Sequence, residues 1–553
     1  MSFPDPSQPE FGQSIPPHGP HAITTQGHGW EIMTRFRDGD LSLVSQMKSM
    51  YPRFGPFGHS SAATRAHATS AHRKDKDRLE ANELRYHAVD IHGVRLYLVV
   101  FPMAKMMGAL FMWQHAGLGF STRFAESLLP HVDALTHLGE FSLGGSPPPP
   151  TYLPEGESHA LLRKRIAGLM MRACVREYER PVVEDDVFLY QTGMAAITRF
   201  HHAVTTTRSG PVVVFGAVFH STYHLFEESA GGVKHYGKCD GAEVDDFEKY
   251  LEGGGECSYV FTEFPSNPIM VCVNLMRLRK LADKHGFLLA ADDTCASFCN
   301  IDLLPAADAV ITSLTKSFSG YADVMAGSVV VNPNTPQRAT LKHTLASRFH
   351  NQLFDGDAAH LLKNSDDYLP RSRIHNRNAA ALAAYFAELA ADPAVPVSRV
   401  WYPPHSPGSD TYLAAFRRKA TPDFPAPGYG CLLSVEFDTV DCAIAFYDGL
   451  NFYQGPHLGA HLSIALAYTA MAYGKDNSEY HASYGLRPQQ IRLSVGLEDE
   501  ALLLRRCEEA VAKMVVKMGK KGDGEALAAE VERRVADDGD VKTGFDPIGG
   551  TGA

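Results

Sequence analysis

The chain has 553 residues, enough for two or three domains that each bury a sizeable apolar core. Hydrophobic residues make up 44% and charged residues 21%, which excludes a disordered chain and points to ordinary globular folding. A formal net charge of -11 speaks against a broad footprint for nucleic acid or an anionic membrane surface, so an anionic ligand has to be held by local groups.

The first twenty residues carry no apolar stretch behind a basic start, so they do not read as a secretory signal or transit peptide, and no segment approaches membrane-spanning length. Nine cysteines occur without a C-x-x-C pair, which fits free thiols in a reducing compartment, and the protein reads as cytosolic. Residues 1 to about 30 are rich in Pro, Gly and His and read as a loose arm, one that could dock on a partner subunit. Alternation over 94–100 predicts a strand, and 124–134 a helix, while the Ala/Ser/Thr/His run at 59–73 reads as a loop. Four prolines at 147–150 must be extended and mark the end of an N-terminal extension placed at 1–150.

From there the pattern changes. Short apolar runs at 212–215, 287–291, 309–311 and 329–331 alternate with helical segments, as a mostly parallel sheet covered on both faces requires. This predicts a large α/β domain over 151–395. Strands at 431–437 and 491–495, then an amphipathic helix at 498–518, predict a smaller α+β domain over 396–518. The remainder, 519–553, is charged and Gly-rich, and reads as a disordered tail.

The densest chemical signal is the stretch 313–320, SLTKSFSG, in which an apolar strand ends in hydroxyls and a lysine. Open α/β sheets bind ligands at that edge, so Lys316 stands where a Schiff-base lysine has to be, although the tetrapeptide alone reads more often as a surface turn. About two dozen residues upstream another strand delivers Asp292-Asp293-Thr294. Pyridoxal 5'-phosphate (PLP) chemistry needs a carboxylate against the pyridine nitrogen, because a protonated ring is the stronger electron sink. Taken alone, the two aspartates would more often cap a helix or bind a metal, and pairing with Lys316 favours the cofactor. Thr192-Gly193-Met194-Ala195 is a small-residue turn opening a helix, whose N-H groups and dipole suit a phosphate, or which is a plain helix start. The hydroxyls of Ser313 and Thr315 would add to that phosphate site.

Taken in order, Tyr190-Gln191-Thr192-Gly193-Met194, the TEFPSNP of 262–268, Asp292-Asp293-Thr294, residues 313–320 and the RLSVGLE of 492–498 resemble the cystathionine gamma-synthase family, the PLP-dependent enzymes of Cys/Met metabolism. The first part resembles the longer fungal branch through Ile15-Pro16-Pro17, Tyr51-Pro52-Arg53-Phe54 and Trp113-Gln114-His115-Ala116-Gly117. The resemblance implies the PLP-dependent transferase fold of the aspartate aminotransferase class, fold type I, in a homodimer or homotetramer. It makes Lys316 the Schiff-base lysine and proton shuttle, and Asp292 the pyridinium partner. Gly193, Met194, Ser313 and Thr315 then hold the phosphate, and Arg492 clamps a substrate carboxylate. Tyr51 and Arg53 match a pair that reaches the phosphate from the neighbouring subunit, with Arg123 as a rival.

Three positions depart from the family. Phe219 replaces the tyrosine that stacks on the ring, keeping the face and losing the phenol; Asp293 replaces an asparagine; and His457 replaces a serine that helps set the lysine, where an imidazole can also move protons and bear on substrate binding. The implied activity is γ-replacement, in which an O-acyl-L-homoserine and cysteine give cystathionine, as in transsulfuration and methionine biosynthesis. Phe219 and His457 motivate alternatives: γ-elimination, or γ-replacement by a non-sulfur nucleophile in secondary metabolism. A low-activity PLP-binding paralogue is a further reading, disfavoured by intact Lys316, Asp292 and Arg492. Expected partners are small amino acids, with no nucleic acid, membrane or metal: His220 and His224 lack a third ligand at metal spacing, Gly117-Leu118-Gly119 lacks the rest of a dinucleotide fingerprint, and the basic residues of 73–78 are interleaved with acids.

Overall fold

A computed structural model describes residues 10–40, 42–43, 46–47, 79–105, 108–109, 114–141, 146–406, 408–473 and 478–519. Tyr51, Arg53, Trp113, the loop expected at 59–73 and residues 520–553 lie outside the described residues.

The apolar runs form a seven-stranded sheet in the order Val187–Tyr190, Gly327–Val331, Ala309–Thr312, Leu288–Asp292, Tyr259–Glu263, Val212–Phe215, Val233–Tyr236. Only Gly327–Val331 runs antiparallel to its neighbours; the other pairings are parallel. Six of these strands are buried along their whole length because both faces are covered; the edge strand Val233–Tyr236, with Lys234 and His235, is only partly so. Side chains alternate between two cores, with Val213 and Phe215 in one and Val212 and Val214 in the other, as a period of two requires. Each such residue contributes roughly 1.5–3 kcal/mol by leaving water. Six carboxyl ends thus open on the same edge.

The second sheet has five strands, ordered Val397–Trp401, Leu432–Phe437, Gln490–Ser494, Ile464–Leu466, Tyr453–Gln454. Its core takes in the helices Val440–Gly449 and Glu500–Lys517 and the distal part of Tyr368–Ala390. The latter helix begins in the core of the large sheet, through Tyr368, and ends in that of the small one, through Leu382 and Phe386. All nine cysteines are free. Among the described residues no helix is long and apolar enough to cross a membrane.

Ahead of these lies a three-stranded antiparallel sheet with Arg85–Ile91 between Val94–Val100 and Thr136–Phe141. The prolines at 147–150 run beside it, and Arg95 Nη1 donates to the Pro149 carbonyl at 2.6 Å. Part of the N-terminal segment is not loose. Ile15 and Ile23 are 0% and 2% exposed and pack on Met325, Tyr453 and Ile464 of the same chain. Short strands Ser14–Ile15 and Thr24–Thr25 pair, the Ile23 N-H donates to the Ala322 carbonyl at 2.9 Å, and that of Gly27 to Gln454 at 2.6 Å. Two isolated isoleucines anchor the segment without generating a detectable period.

The turn after Lys316 is braced from within. Arg371, 1% exposed, donates through Nη1 to the Ser317 carbonyl at 2.9 Å and through Nη2 to Phe318 at 3.1 Å and Asn364 at 3.0 Å. The guanidinium fits because position 320 is glycine: φ is +77°, and a Cβ there would lie 1.7 Å from Arg371 Nη1. Gly254 has a similar φ of +84° with nothing within 4 Å of a Cβ. We predict that Gly254→Ala costs only the left-handed backbone term, about 1–2 kcal/mol, whereas Gly320→Ala adds an overpacking cost of about 1–3 kcal/mol. Thermal melts of both variants compare the two, and equal losses of Tm would show that the Arg371 contact adds no constraint.

Candidate active site

At the shared edge of the large sheet, the helix Gly193–Thr205 starts directly after the strand Val187–Tyr190. Thr192, extended, caps it by accepting the Ala195 N-H at 2.9 Å, and the N-H groups of Gly193 and Met194 head the helix, where intrahelical acceptors do not exist. Glycine is required here by space: a Cβ on Gly193 would lie 2.7 Å from the Ser313 side chain, and one on Gly327 2.4 Å from the Thr192 carbonyl. Ser313 and the helix start therefore face each other across a gap that only a backbone can line, a geometry that suits an anion. Thr315 behaves differently. Its hydroxyl donates to the Ala326 carbonyl and accepts the Ala326 N-H, both at 3.1 Å, closing the turn below Lys316.

Arg123 is drawn elsewhere: its Nη1 donates to the Asp323 carbonyl at 2.7 Å and meets the buried Asp357 at 3.3 Å. The segment ahead of it packs on the helix start, with the Thr192 hydroxyl donating to the Gly117 carbonyl at 2.7 Å.

Asp292 and Glu263 end adjacent parallel strands and sit side by side in register. Asp292 accepts the Thr294 N-H at 2.8 Å, and among the described residues it forms no ion pair. Burial pushes its carboxyl up to about 6 against the pull of the Thr294 hydrogen bonds. Asp293 faces away and accepts the Thr312 hydroxyl at 2.6 Å, and burial pushes its carboxyl up to about 7. Glu263 accepts the N-H of Phe219 at 2.6 Å and of Asn267 at 3.0 Å; burial raises its pKa, and Asp292 beside it adds to the rise. Glu263 and Asn267 lie inside a sequence block that had suggested no role for either, and they join Phe219 to the opposite wall.

That wall comes from the small domain. Lys316 Nζ lies 3.4 Å from His457 Nδ1. Arg492, 2% exposed, donates through Nη1 to Asn267 Oδ1 at 3.1 Å and through Nη2 to the carbonyls of Pro456 at 2.7 Å and His457 at 3.4 Å. Its guanidinium carbon stands 4.7 Å from the centre of the Tyr468 ring, a residue no motif had marked. Burial, then Lys316, then Arg492 drive the His457 pKa far down, so its imidazole is neutral. With Lys316 donating to Nδ1, the ring proton sits on Nε2, which is buried without a hydrogen-bond partner among the described residues. The structure thus brings Lys316, His457 and Arg492 together on one side, and Gly193 and Ser313 together on another. Phe219 and Asp292 flank Glu263.

These residues fit PLP. The glycine-lined cradle takes a phosphate, the unmatched carboxyl of Asp292 suits a protonated pyridine nitrogen, Phe219 offers an aromatic face, and Lys316 stands at the strand edge.

The sequence model of the family described as Cys/Met metabolism PLP-dependent enzyme matches residues 182–512. The chain is 38% identical over 437 residues to the alanine racemase ungC of Aspergillus violaceofuscus, covering 75% of this chain and 73% of that protein. It is 32% identical over 486 residues to the cystathionine gamma-synthase-like enzyme iboG2 of Amanita muscaria, covering 76% of each. Its fold is similar to the crystal structure of cystathionine gamma synthase from Xanthomonas oryzae pv. oryzae in complex with aminoacrylate and cysteine, with a TM-score of 0.53 and 25% identity over 65% of this chain and 86% of that one.

Two predictions follow from the electrostatics. In the cofactor-free protein the Asp292 carboxyl is ionised only above about 6, so PLP affinity should fall as the pH drops through that value, and Asp292→Asn should bind weakly with that component of the pH dependence gone. Absorbance titrations with PLP read this directly, and a wild-type profile superimposable on that of Asp292→Asn would remove Asp292 from the ring site. Arg492→Lys keeps the charge but loses the planar fork, so amino-acid KM should rise roughly tenfold or more while PLP affinity stays within about twofold. Equal losses of both would mark Arg492 as structural.

Proposed function

This chain belongs to the Cys/Met metabolism PLP-dependent enzyme family, and from that we propose that it removes the Cα proton of a small amino acid whose carboxylate Arg492 holds, and goes on to γ-replacement on an O-acyl-L-homoserine. It is a cystathionine gamma-synthase-like PLP enzyme. When bound, PLP supplies an electron sink for negative charge at the carbon next to the amino group. The rest falls to the protein. Lys316 is the covalent anchor and, once displaced by the substrate amine, the base at Cα. The single observation that carries this reading is the 3.4 Å approach of Lys316 Nζ to the Nδ1 of a neutral, buried imidazole. The neutral imidazole accepts a hydrogen bond from the lysine ammonium and so holds a proton taken at Cα where Lys316 can return it at a neighbouring carbon. Arg492 orients the carboxylate, and its bond to the His457 carbonyl fixes the distance between clamp and base. In this reading the Cγ–O bond breaks, the acyloxy group departs as a carboxylate, and the cysteine sulfur, having given up its thiol proton, takes its place at Cγ.

A second reading ends at Cα. Phe219 brings no phenol to the ring, and the relative at 38% identity is named an alanine racemase, so returning the proton on the other side of Cα is a complete reaction for this site. As in other members of the family, we propose a homodimer or homotetramer, and we place it in the cytosol.

The test is a product screen. Purified protein is given O-acetyl- or O-succinyl-L-homoserine with and without cysteine, and L- or D-alanine, with chiral mass-spectrometric detection. Cystathionine supports γ-replacement, an oxoacid with ammonia γ-elimination, and the opposite enantiomer racemisation; no turnover of any amino acid, with PLP bound, would overturn the enzyme reading. Borohydride followed by peptide mapping should place the cofactor on Lys316, and Lys316→Ala should remove it. His457→Ser should retain PLP and lose about 10²–10⁴ in turnover, the range of general acid–base help.

A further inference from the structure

The phenol that Phe219 lacks is present in the site from another element. Tyr468 follows the strand Ile464–Leu466, is 4% exposed, and lies against the guanidinium of Arg492. Its oxygen is on the receiving end of the hydrogen bonds around it. The His220 N-H, directly after Phe219, points to it at 3.4 Å, and the Asn267 that accepts from Arg492 stands close enough to pull the phenol pKa down. Among the described hydrogen bonds none takes the proton of this phenol. What sets this hydroxyl apart from other buried tyrosines is its place against Arg492, the residue that would hold a substrate carboxylate. The same donors would hold the phenolate left behind, with Arg492 beneath the ring.

Position supports a distinct role from that of the lysine. The pair Lys316 and His457 reaches Arg492 at an in-plane edge of the guanidinium, through the His457 carbonyl, whereas Tyr468 covers one of its faces. Lys316, by way of His457, and Tyr468 thus lie on different sides of the Arg492 guanidinium. We infer that Tyr468 is the second proton-transfer residue of the site, facing Cα from the side that Lys316 does not serve; this rests on the racemising reading proposed above. In one direction Lys316, as the free amine, takes the Cα proton and the electron pair left at Cα takes the proton of the Tyr468 hydroxyl as the O-H bond breaks; the site resets when the Lys316 ammonium loses a proton to solvent and the phenolate gains one. The reverse direction runs from that same ammonium and phenolate before they reset, the phenolate taking the Cα proton and the ammonium returning one. The wall behind the phenol is fixed by Tyr473, whose hydroxyl donates to the Val218 carbonyl at 3.3 Å and whose ring meets that of Tyr468 edge-on at 6.2 Å. Burial holds the Tyr468 phenol well above its ordinary pKa, against the pull of Arg492, so it rests as the proton donor.

The experiment follows L- and D-alanine in deuterium oxide by proton NMR and chiral chromatography, with PLP loading checked by absorbance in each protein. Wild type should place deuterium at Cα and form the opposite enantiomer. Tyr468→Phe, which keeps the ring under Arg492, should load PLP normally and still place deuterium in the starting enantiomer, while formation of the opposite one falls by about 10²-fold or more. A Tyr468→Phe variant that inverts alanine as fast as wild type overturns the inference alone. Wild type that exchanges only with retention also overturns it, leaving the base role of Lys316 standing. No exchange by wild type overturns the racemising reading and the inference together. An alkaline titration of the cofactor-free proteins gives a readout independent of turnover: tyrosinate absorbance of wild type and Tyr468→Phe should superimpose to about pH 10, the ordinary phenol range. A tyrosinate present below that pH in wild type and missing in the variant would mean that the phenol has no proton to give, and would overturn the donor role.

Discussion

The constraint on which the site depends is directional. Six strands of the large sheet run the same way, so their carboxyl ends lie on one edge, and every loop that follows them has to turn over that edge. Gly193, Phe219, Glu263, Asp292 and Lys316 are far apart in sequence and share only this property. Register then sets the fine spacing: Asp292 is beside Glu263 because Leu288 is beside Tyr259, and a slip of one residue would exchange Asp292 for a side chain on the opposite face.

The second wall is held to the first by a short polar relay in which Glu263 receives Phe219 and Asn267, Asn267 receives Arg492, and Arg492 also donates to the carbonyls of Pro456 and His457. Burying this much polarity is tolerated because donors and acceptors are matched along the chain. The exceptions are informative. Within the site, His457 Nε2 has no hydrogen-bond partner and Asp292 no counter-charge among the described residues, at the place that substrate and cofactor would complete.

What could be read from the sequence was what local rules determine. Apolar runs of strand length marked 212–215, 287–291, 309–311 and 329–331 because strands covered on both faces cannot hide polar residues. Lys316 and Asp292 stood out because each breaks such a run where it ends. Tyr468 did not, since a lone tyrosine after IAL in 464–466 has no pattern around it and its meaning depends on Arg492, a strand away. The docking of Ile15 and Ile23 was illegible for a related reason: two residues make a contact but not a period. Arg123 had stood only as a rival to Tyr51 and Arg53 for the phosphate, and the buried carboxylate that claims it, Asp357, is more than two hundred residues away in sequence.

Arg371 gives the fold a mechanical property. It sits near the start of the helix Tyr368–Ala390, whose first turn is packed in the large-domain core and whose later turns are packed in the small one. Its guanidinium grips the backbone of Ser317 and Phe318, the residues next to the active lysine. The helix is therefore a rigid rod about 35 Å long, at 1.5 Å per residue over 23 residues, with one end on the lysine turn and its body in the domain that carries Arg492 and His457. A tilt of the second sheet and its helices relative to the first would carry the turn at Ser317 and Phe318 with it, so that in the proposed function seating a carboxylate at Arg492 and aiming Lys316 become one movement.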